Sequence, residues 1–409
     1  MTGSGRRSLL LLCAAGFAYA LVETASYLML PIYFVEELRF DPSIAGGLLA
    51  VVGLASLAAR FPSGKAYGVG MALRLAFAGA GAGALSMAIL GASQSVPGIL
   101  VALIGIGLAL SSASTLQLAT LSALHRDGAL GSALGWYTAA IGIGHTVGGV
   151  LVGYLADVFG VTSVLAFIAA ACVAGTGLWV VAQRRTGYAP RTPRSTDDDQ
   201  EPSETSATSV SPRRGPWARM FRVKTIWSGT LVAAFVLVVV INTYNSSVSS
   251  FHPVMAVAAG LSFRQVGVLS SARSVASSLV RLGAGLWLRR TNGERLIWPL
   301  VVLGAVAIGL LPTLRASMWA QILLFLAMGA SRGLLRITGS SVAMSGYDSA
   351  HARGQASATL NAGLDIGKLL GPLVGGGLVA VAGLGTMFPL VALAGVAAYW
   401  VASRRVNES

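Results

Sequence analysis

The chain reads as an all-α membrane protein, with twelve transmembrane helices in two pseudo-symmetric six-helix bundles. Three observations predict that class. Of the 409 residues, 55% are hydrophobic and 11% charged, against about 25% charged in a soluble globular chain; mean hydropathy is +0.72. Apolar runs of about 20 residues recur along the whole length, each long enough to cross a ~30 Å hydrocarbon core as a helix. The two halves repeat glycine- and arginine-bearing motifs on either side of a polar stretch.

Taken in order, the apolar runs predict helices near 8–34, 42–62, 72–92, 97–123, 131–155 and 161–183, and six more near 225–249, 263–288, 296–313, 317–345, 354–382 and 384–403. The opening MTGSGRRSLLLLCAAGFAYA imitates a secretory signal. Its apolar run continues past Ala20 to Pro31, which favours a first membrane helix. The expected organisation is a bundle over 1–183, a linker over 184–222 and a second bundle over 223–409. The linker is rich in Ser, Thr, Pro and acids and buries almost nothing, so it is expected to be disordered and cytoplasmic. Its end, PWARMFRVKTIW, mixes aromatic and basic residues and suits a membrane surface.

Basic residues set the orientation. With the N-terminus inside, the inner side carries Arg6, Arg7, Lys65, Arg74, Arg126, Lys224, Arg289, Arg290, Arg295, Arg353, Arg404, Arg405 and the linker arginines; the outer side carries Arg39, Arg264 and Arg315. This positive-inside bias places both termini in the cytoplasm and accounts for most of the +14 net charge without a nucleic-acid partner. The scarcity of Lys beside abundant Ala, Gly and Arg hints at a GC-rich bacterial coding sequence, hence an inner-membrane location. Cys13 and Cys172 lie in apolar runs and make neither a disulfide framework nor a metal cluster. The sequence lacks H-E-x-x-H, G-x-S-x-G and P-loop motifs, so it is read as no enzyme, with no cofactor and no metal.

The repeats are specific. Arg60-Phe-Pro-Ser-Gly64 ends the second helix and Arg281-Leu-Gly-Ala-Gly285 the eighth. Helix 5 carries GIGHTVGG and helix 11 G-x-x-x-G-P-x-x-G-G from Gly367. With these motifs the whole chain resembles the major facilitator superfamily. The resemblance implies two bundles rocking about a central cavity, with helices 1, 4, 7 and 10 lining it and helices 2, 5, 8 and 11 joining the halves. It departs from the pattern at four positions. Gly68 and Arg289 stand where the loops after helices 2 and 8 carry a gate aspartate, Val101 stands in place of the helix 4 arginine of antiporters, and His145 replaces a proline.

Within that frame Gly144 and Gly148, and Gly363, Gly367, Gly371 and Gly375 with Pro372, are expected to pack the halves together, since small residues at helical spacing let backbones approach. Arg60, Gly64, Arg281 and Gly285 are read as gate or packing residues. Asp365 and Lys368, three apart on helix 11, can pair, and that pair is either self-neutralising or part of a coupling site. Arg332 and Arg336 share one face of helix 10. With Arg273 and Lys368 they exceed what Asp365 alone can neutralise, which points to an anionic group of the substrate; the alternative is that the two arginines are held by Asp365, helix C-terminal carbonyls or water. Asn242, Asn245, Tyr27 and Gln117 are candidate neutral contacts. Glu23, the only mid-membrane acid of the first half, is expected to stand unpaired, which suits reversible protonation; His145 is either its proton partner or a packing residue.

The function expected is therefore proton-coupled export of a small organic molecule, possibly anionic, by a monomer embedded in lipid. Uptake of an organic anion with protons, or a receptor that does not transport, are the alternatives.

Overall fold

A computed structural model describes residues 3–68, 71–124, 130–185, 228–287, 293–345 and 350–407. The described residues form twelve helices: α1 (Gly3–Ile32), α2 (Pro42–Gly68), α3 (Ala72–Ala92), α4 (Val96–Leu124), α5 (Leu130–Phe159), α6 (Val161–Arg185), α7 (Gly229–Ala258), α8 (Phe263–Trp287), α9 (Gly293–Gly309), α10 (Met318–Ser345), α11 (Ala350–Ala382) and α12 (Leu384–Asn407). Residues 186–222 of the expected linker, and the loop positions Arg126, Lys224, Arg289 and Arg290, lie outside the described residues.

Ten of the helices are long and apolar enough to cross a membrane. The other two are α8, which carries Arg264, Arg273 and Arg281, and the 17-residue α9. The seventh helix runs further than expected, through Pro253 to Ala258. Twelve spans return the chain to the face it starts from. That side is called the terminal face here, and its counterpart the opposite face.

Several connections on the opposite face are built from turn chemistry. Asp41 accepts hydrogen bonds from the Ser43 hydroxyl (2.5 Å) and backbone N–H (2.8 Å) at the start of α2. These bonds hold its carboxyl below the usual carboxylate range. Single glycines join α5 to α6 and α11 to α12: Gly160 at φ 82° and Gly383 at φ 83°. That left-handed conformation strains any residue with a Cβ. The same turn at the same place in both halves is the repeat made visible in the backbone.

α1–α6 pack into one bundle and α7–α12 into another, and the two touch chiefly through α2 on α11 and α5 on α8. The apolar core reports where they touch. One large cluster draws on both bundles, including Leu30, Leu49 and Leu103 from the first and Phe251, Leu269 and Phe388 from the second. Toward the terminal face the cores separate. Leu12, Leu116 and Trp179 belong to the first bundle alone, Leu237, Val301 and Tyr399 to the second alone. The bundles are apposed at the opposite face and part at the terminal face.

The close contacts correct one expectation. Gly144 and Gly148 do not meet the other half: a Cβ on Gly144 would strike Ala20 and Phe17, and one on Gly148 would meet Thr24 and Leu21, all on α1. Gly363, Gly367, Gly371 and Gly375 likewise face Phe235, Asn242, Ser246 and Phe251 on α7 of their own bundle. Helical spacing fixes which residues share a face but not which helix that face meets. The contact between halves uses the adjacent positions. Gly46 lies against the Pro372 carbonyl and Gly376, Gly53 against Leu369, and Gly149 and Gly153 against Gly267 and Phe263. Gly64 and Gly285 fall in α2 and α8, but their surroundings lie outside the described residues.

Candidate functional site

Between the bundles lies a cavity of about 770 Å³. It is lined by α1, α4, α7 and α10, and also by α2, α5, α8 and α11. Two hydrogen-bonded ties help close its far end. Asp157, at the end of α5, accepts from the backbone N–H of Phe263 (2.9 Å) and Arg264 (3.0 Å), capping α8 across the two halves. The Ser271 hydroxyl donates to the Thr146 carbonyl at 2.6 Å.

The expected pairing along α11 is not what the structure holds. Asp365 and Lys368 each reach across to the other bundle. Arg60 binds Asp365 at 2.6 and 2.9 Å, and Lys368 binds Glu23 at 2.7 Å. Glu23 is therefore not unpaired. Its second oxygen lies 3.5 Å from His145 Nε2, while His145 Nδ1 is 2.9 Å from the Thr24 hydroxyl. An i,i+3 pair is worth only a few tenths of a kcal/mol. In a low dielectric, bonds between bundles that satisfy all four charged groups outweigh it.

These pairs consume both carboxylates on the cavity lining. Four arginines on that lining, Arg273, Arg281, Arg332 and Arg336, then have no acid within ion-pair distance among the described residues. Arg273 donates to the Ser249 hydroxyl at 3.0 Å and lies 5.8 Å from the Phe325 ring centre. One of its terminal nitrogens, Nη1, is buried without a partner. Arg281 turns back onto Ser277, 2.7 Å to the hydroxyl and 3.0 Å to the carbonyl. Arg332 is half-buried and Arg336 exposed to the cavity. Six cations thus face two carboxylates, and two guanidiniums in a low-dielectric space repel unless an anion separates them.

The neutral candidates divide. Tyr27, Asn245 and Asn242 line the cavity, although Asn242 is buried and its amide donates to the Val238 carbonyl of its own helix (2.8 Å). Gln117 does not line it. It accepts from the Tyr137 hydroxyl (2.9 Å) and donates to the Ala15 carbonyl (3.3 Å), a tie within the first bundle. Sequence reasoning also missed His252, buried on the lining, 2.8 Å from Gln321 and edge-on to Phe325. The histidine was visible, but nothing local marked its partners.

Residues 12–352 match the Major Facilitator Superfamily. The chain belongs to the major facilitator superfamily. No curated protein sequence matches it. Solved structures share its fold at low identity. The nucleoside transporter NupG has a TM-score of 0.72 at 14% identity, covering 97% of this chain and 98% of that one. A POT family transporter in complex with 5-aminolevulinic acid has 0.75 at 12%, covering 98% and 96%. A bacterial homolog of the human lysosomal transporter Spinster, inward-facing and unoccupied, has 0.66 at 12%, covering 100% and 98%. Family and fold make this chain a multi-pass secondary transporter rather than an enzyme.

Proposed function

We propose that the protein exports a small organic anion across the cytoplasmic membrane by alternating access, coupled to protons. The observation that carries this reading is the excess of guanidinium groups on the second bundle's wall, with both cavity carboxylates already engaged. Guanidinium forks match carboxylate and phosphate geometry. The positive-inside bias makes the terminal face cytoplasmic, so the cavity loads from inside the cell and residues 184–222 join the halves there. An inside-negative potential favours outward movement of anions by about 2.3 kcal/mol per charge per 100 mV, which supports export over uptake.

The proton link is the Glu23–Lys368 bond, which spans the halves beside His145. Protonating Glu23 removes its charge, releases Lys368 and breaks one tie between the bundles. The test uses labelled organic anions and proteoliposomes of the full chain. Counterflow should occur with wild type. Glu23→Gln should retain exchange and lose accumulation driven by a pH gradient. Full pH-driven accumulation by Glu23→Gln would dismiss the coupling role, and absence of counterflow with any anion would dismiss the substrate class.

A further inference from the structure

The four arginines have a fixed spacing. α8 and α10 run side by side with their backbones in contact. A Cβ on Gly329 would strike the Arg273 carbonyl, and one on Gly333 the carbonyl and Cα of Ser277. Both contacts join residues 56 positions apart, so the helices run parallel and in register. That register puts Arg332 level with Ala276 and Arg336 level with Val280. At 1.5 Å per residue, Arg332 lies about 4.5 Å beyond Arg273, Arg336 about 6 Å further, and Arg281 about 1.5 Å beyond Arg336. By backbone height the arginines form two rungs, Arg273 with Arg332 and Arg336 with Arg281; the Arg281 guanidinium folds back one turn onto Ser277, so the charges of the two rungs lie closer together than their backbones.

Neither helix contains an acid over Phe263–Trp287 or Met318–Ser345. The nearest polar partners of Arg273 and Arg281 are the hydroxyls of Ser249 and Ser277, which leave the positive charge in place. One anionic group can satisfy one rung. The other would still hold two unneutralised guanidiniums of like charge close together, which repel.

We propose, building on the anion reading above, that the substrate is an organic dianion with two terminal acidic groups, one for each arginine rung. The class comprises α,ω-diacids whose ends are carboxylates, phosphates or sulfonates. The inner rung, Arg273 and Arg332, takes the leading acid. The outer rung, Arg336 and Arg281, takes the trailing one nearer the terminal face.

The experiment is calorimetric binding to the purified full chain. The probes are straight-chain α,ω-dicarboxylates of increasing length with monocarboxylates of equal length, and α,ω-alkanediol bisphosphates with the matching monophosphates. The dianion should show an optimum length at which it binds at least tenfold tighter than its monoanion. Combining Arg336→Gln with Arg281→Gln should remove that advantage, so that the dianion binds no more tightly than its monoanion. Arg336→Lys should restore part of it, because the charge returns without the fork. Thermal melting of each variant separates loss of recognition from loss of fold, and the wild-type length series stands without any variant. Equal affinity for mono- and dianions, both weakened by Arg332→Gln, would overturn the two-rung assignment and leave the anion reading standing. Binding that ignores Arg332→Gln would overturn the anion reading itself. Failure of every member of both series to bind would overturn the dianion.

Discussion

The two walls of the cavity come from the two repeats of one fold, yet they carry opposite chemistry. The first bundle offers Tyr19, Glu23, Thr24, Tyr27 and His145, with Arg60 as its one strong cation on the lining; the second offers Arg273, Arg281, Arg332, Arg336 and Lys368 against Asp365 alone. The backbone symmetry is close, as the matched turns at Gly160 and Gly383 show. The side chains that face the cavity do not share it. A scaffold can repeat for packing reasons while its two inner faces divide the labour, one holding a carboxylate that bridges the halves, the other collecting positive charge. Each wall also lends the other one ion: Glu23 goes to Lys368 and Asp365 to Arg60. The excess of charge on the second wall is what those two exchanges leave over.

That contrast can be broken most strongly at the exchange. Lys368→Met strands the Glu23 carboxylate, whose side chain is 13% exposed. Removing one partner of a buried pair costs roughly 3 kcal/mol or more. A large fall in thermal midpoint is expected, and the double variant with Glu23→Gln should recover most of it. Additive losses in the double variant would deny the pair.

Next in size is the closed end. A Cβ on Gly46 would come within 2.6–2.9 Å of Phe251, the Pro372 carbonyl and Gly376. Gly46→Val should therefore overpack the junction by about 1–3 kcal/mol and shift the bundles toward opening at the opposite face. The check is faster modification of cysteines placed on the lining by a reagent applied from that face. Gly81→Val, where nothing lies within 4 Å, is the control and should leave accessibility unchanged.

Asp157→Ala removes a cap that crosses the halves. Loss of an N-cap costs about 1 kcal/mol, near a fivefold change in an equilibrium constant, and the same accessibility assay should register it. Gln117→Leu should lower stability through its lost bonds to Tyr137 and Ala15 and leave substrate affinity unchanged, because Gln117 is off the cavity. The smallest effect concerns Asp41. Its carboxyl titrates below the usual range in the folded chain because the Ser43 hydroxyl and N–H bind it. Its stabilisation is full above the unfolded carboxylate range and fades as pH falls through the folded value. Asp41→Asn should flatten only that acid limb of a pH–stability profile.

Much of the fold was legible in the sequence because span length and apolar content are local properties. The twelve helices fall where the apolar runs predict them except that the seventh runs on through Pro253 to Ala258, and α8 is recognisable in spite of its three arginines because its repeat partner α2 ends on the same motif. What the sequence hid was partnership. The glycines every four residues on α11 mark a packing face, but the helix they meet is α7 of the same bundle. Asp365 and Lys368 are three apart and invite a local pair, whereas the partners that satisfy them sit 305 and 345 residues away. Contacts at that separation leave no periodicity to read. The arginine excess was visible from where the charges fall along the spans, but the register that sets α10 level with α8 appeared only when Gly329 and Gly333 fixed the two backbones together.

The most direct measurement is equilibrium binding of one organic anion and its neutral amide to wild type, Arg332→Gln and Arg332→Lys. Loss of a charge-assisted contact costs about 1.5–3 kcal/mol, on the order of a 10- to 150-fold loss of affinity. The account expects a loss of that size for the anion in Arg332→Gln, partial recovery in Arg332→Lys, and little change for the amide. Equal losses for anion and amide, or unchanged binding of the anion, would contradict it.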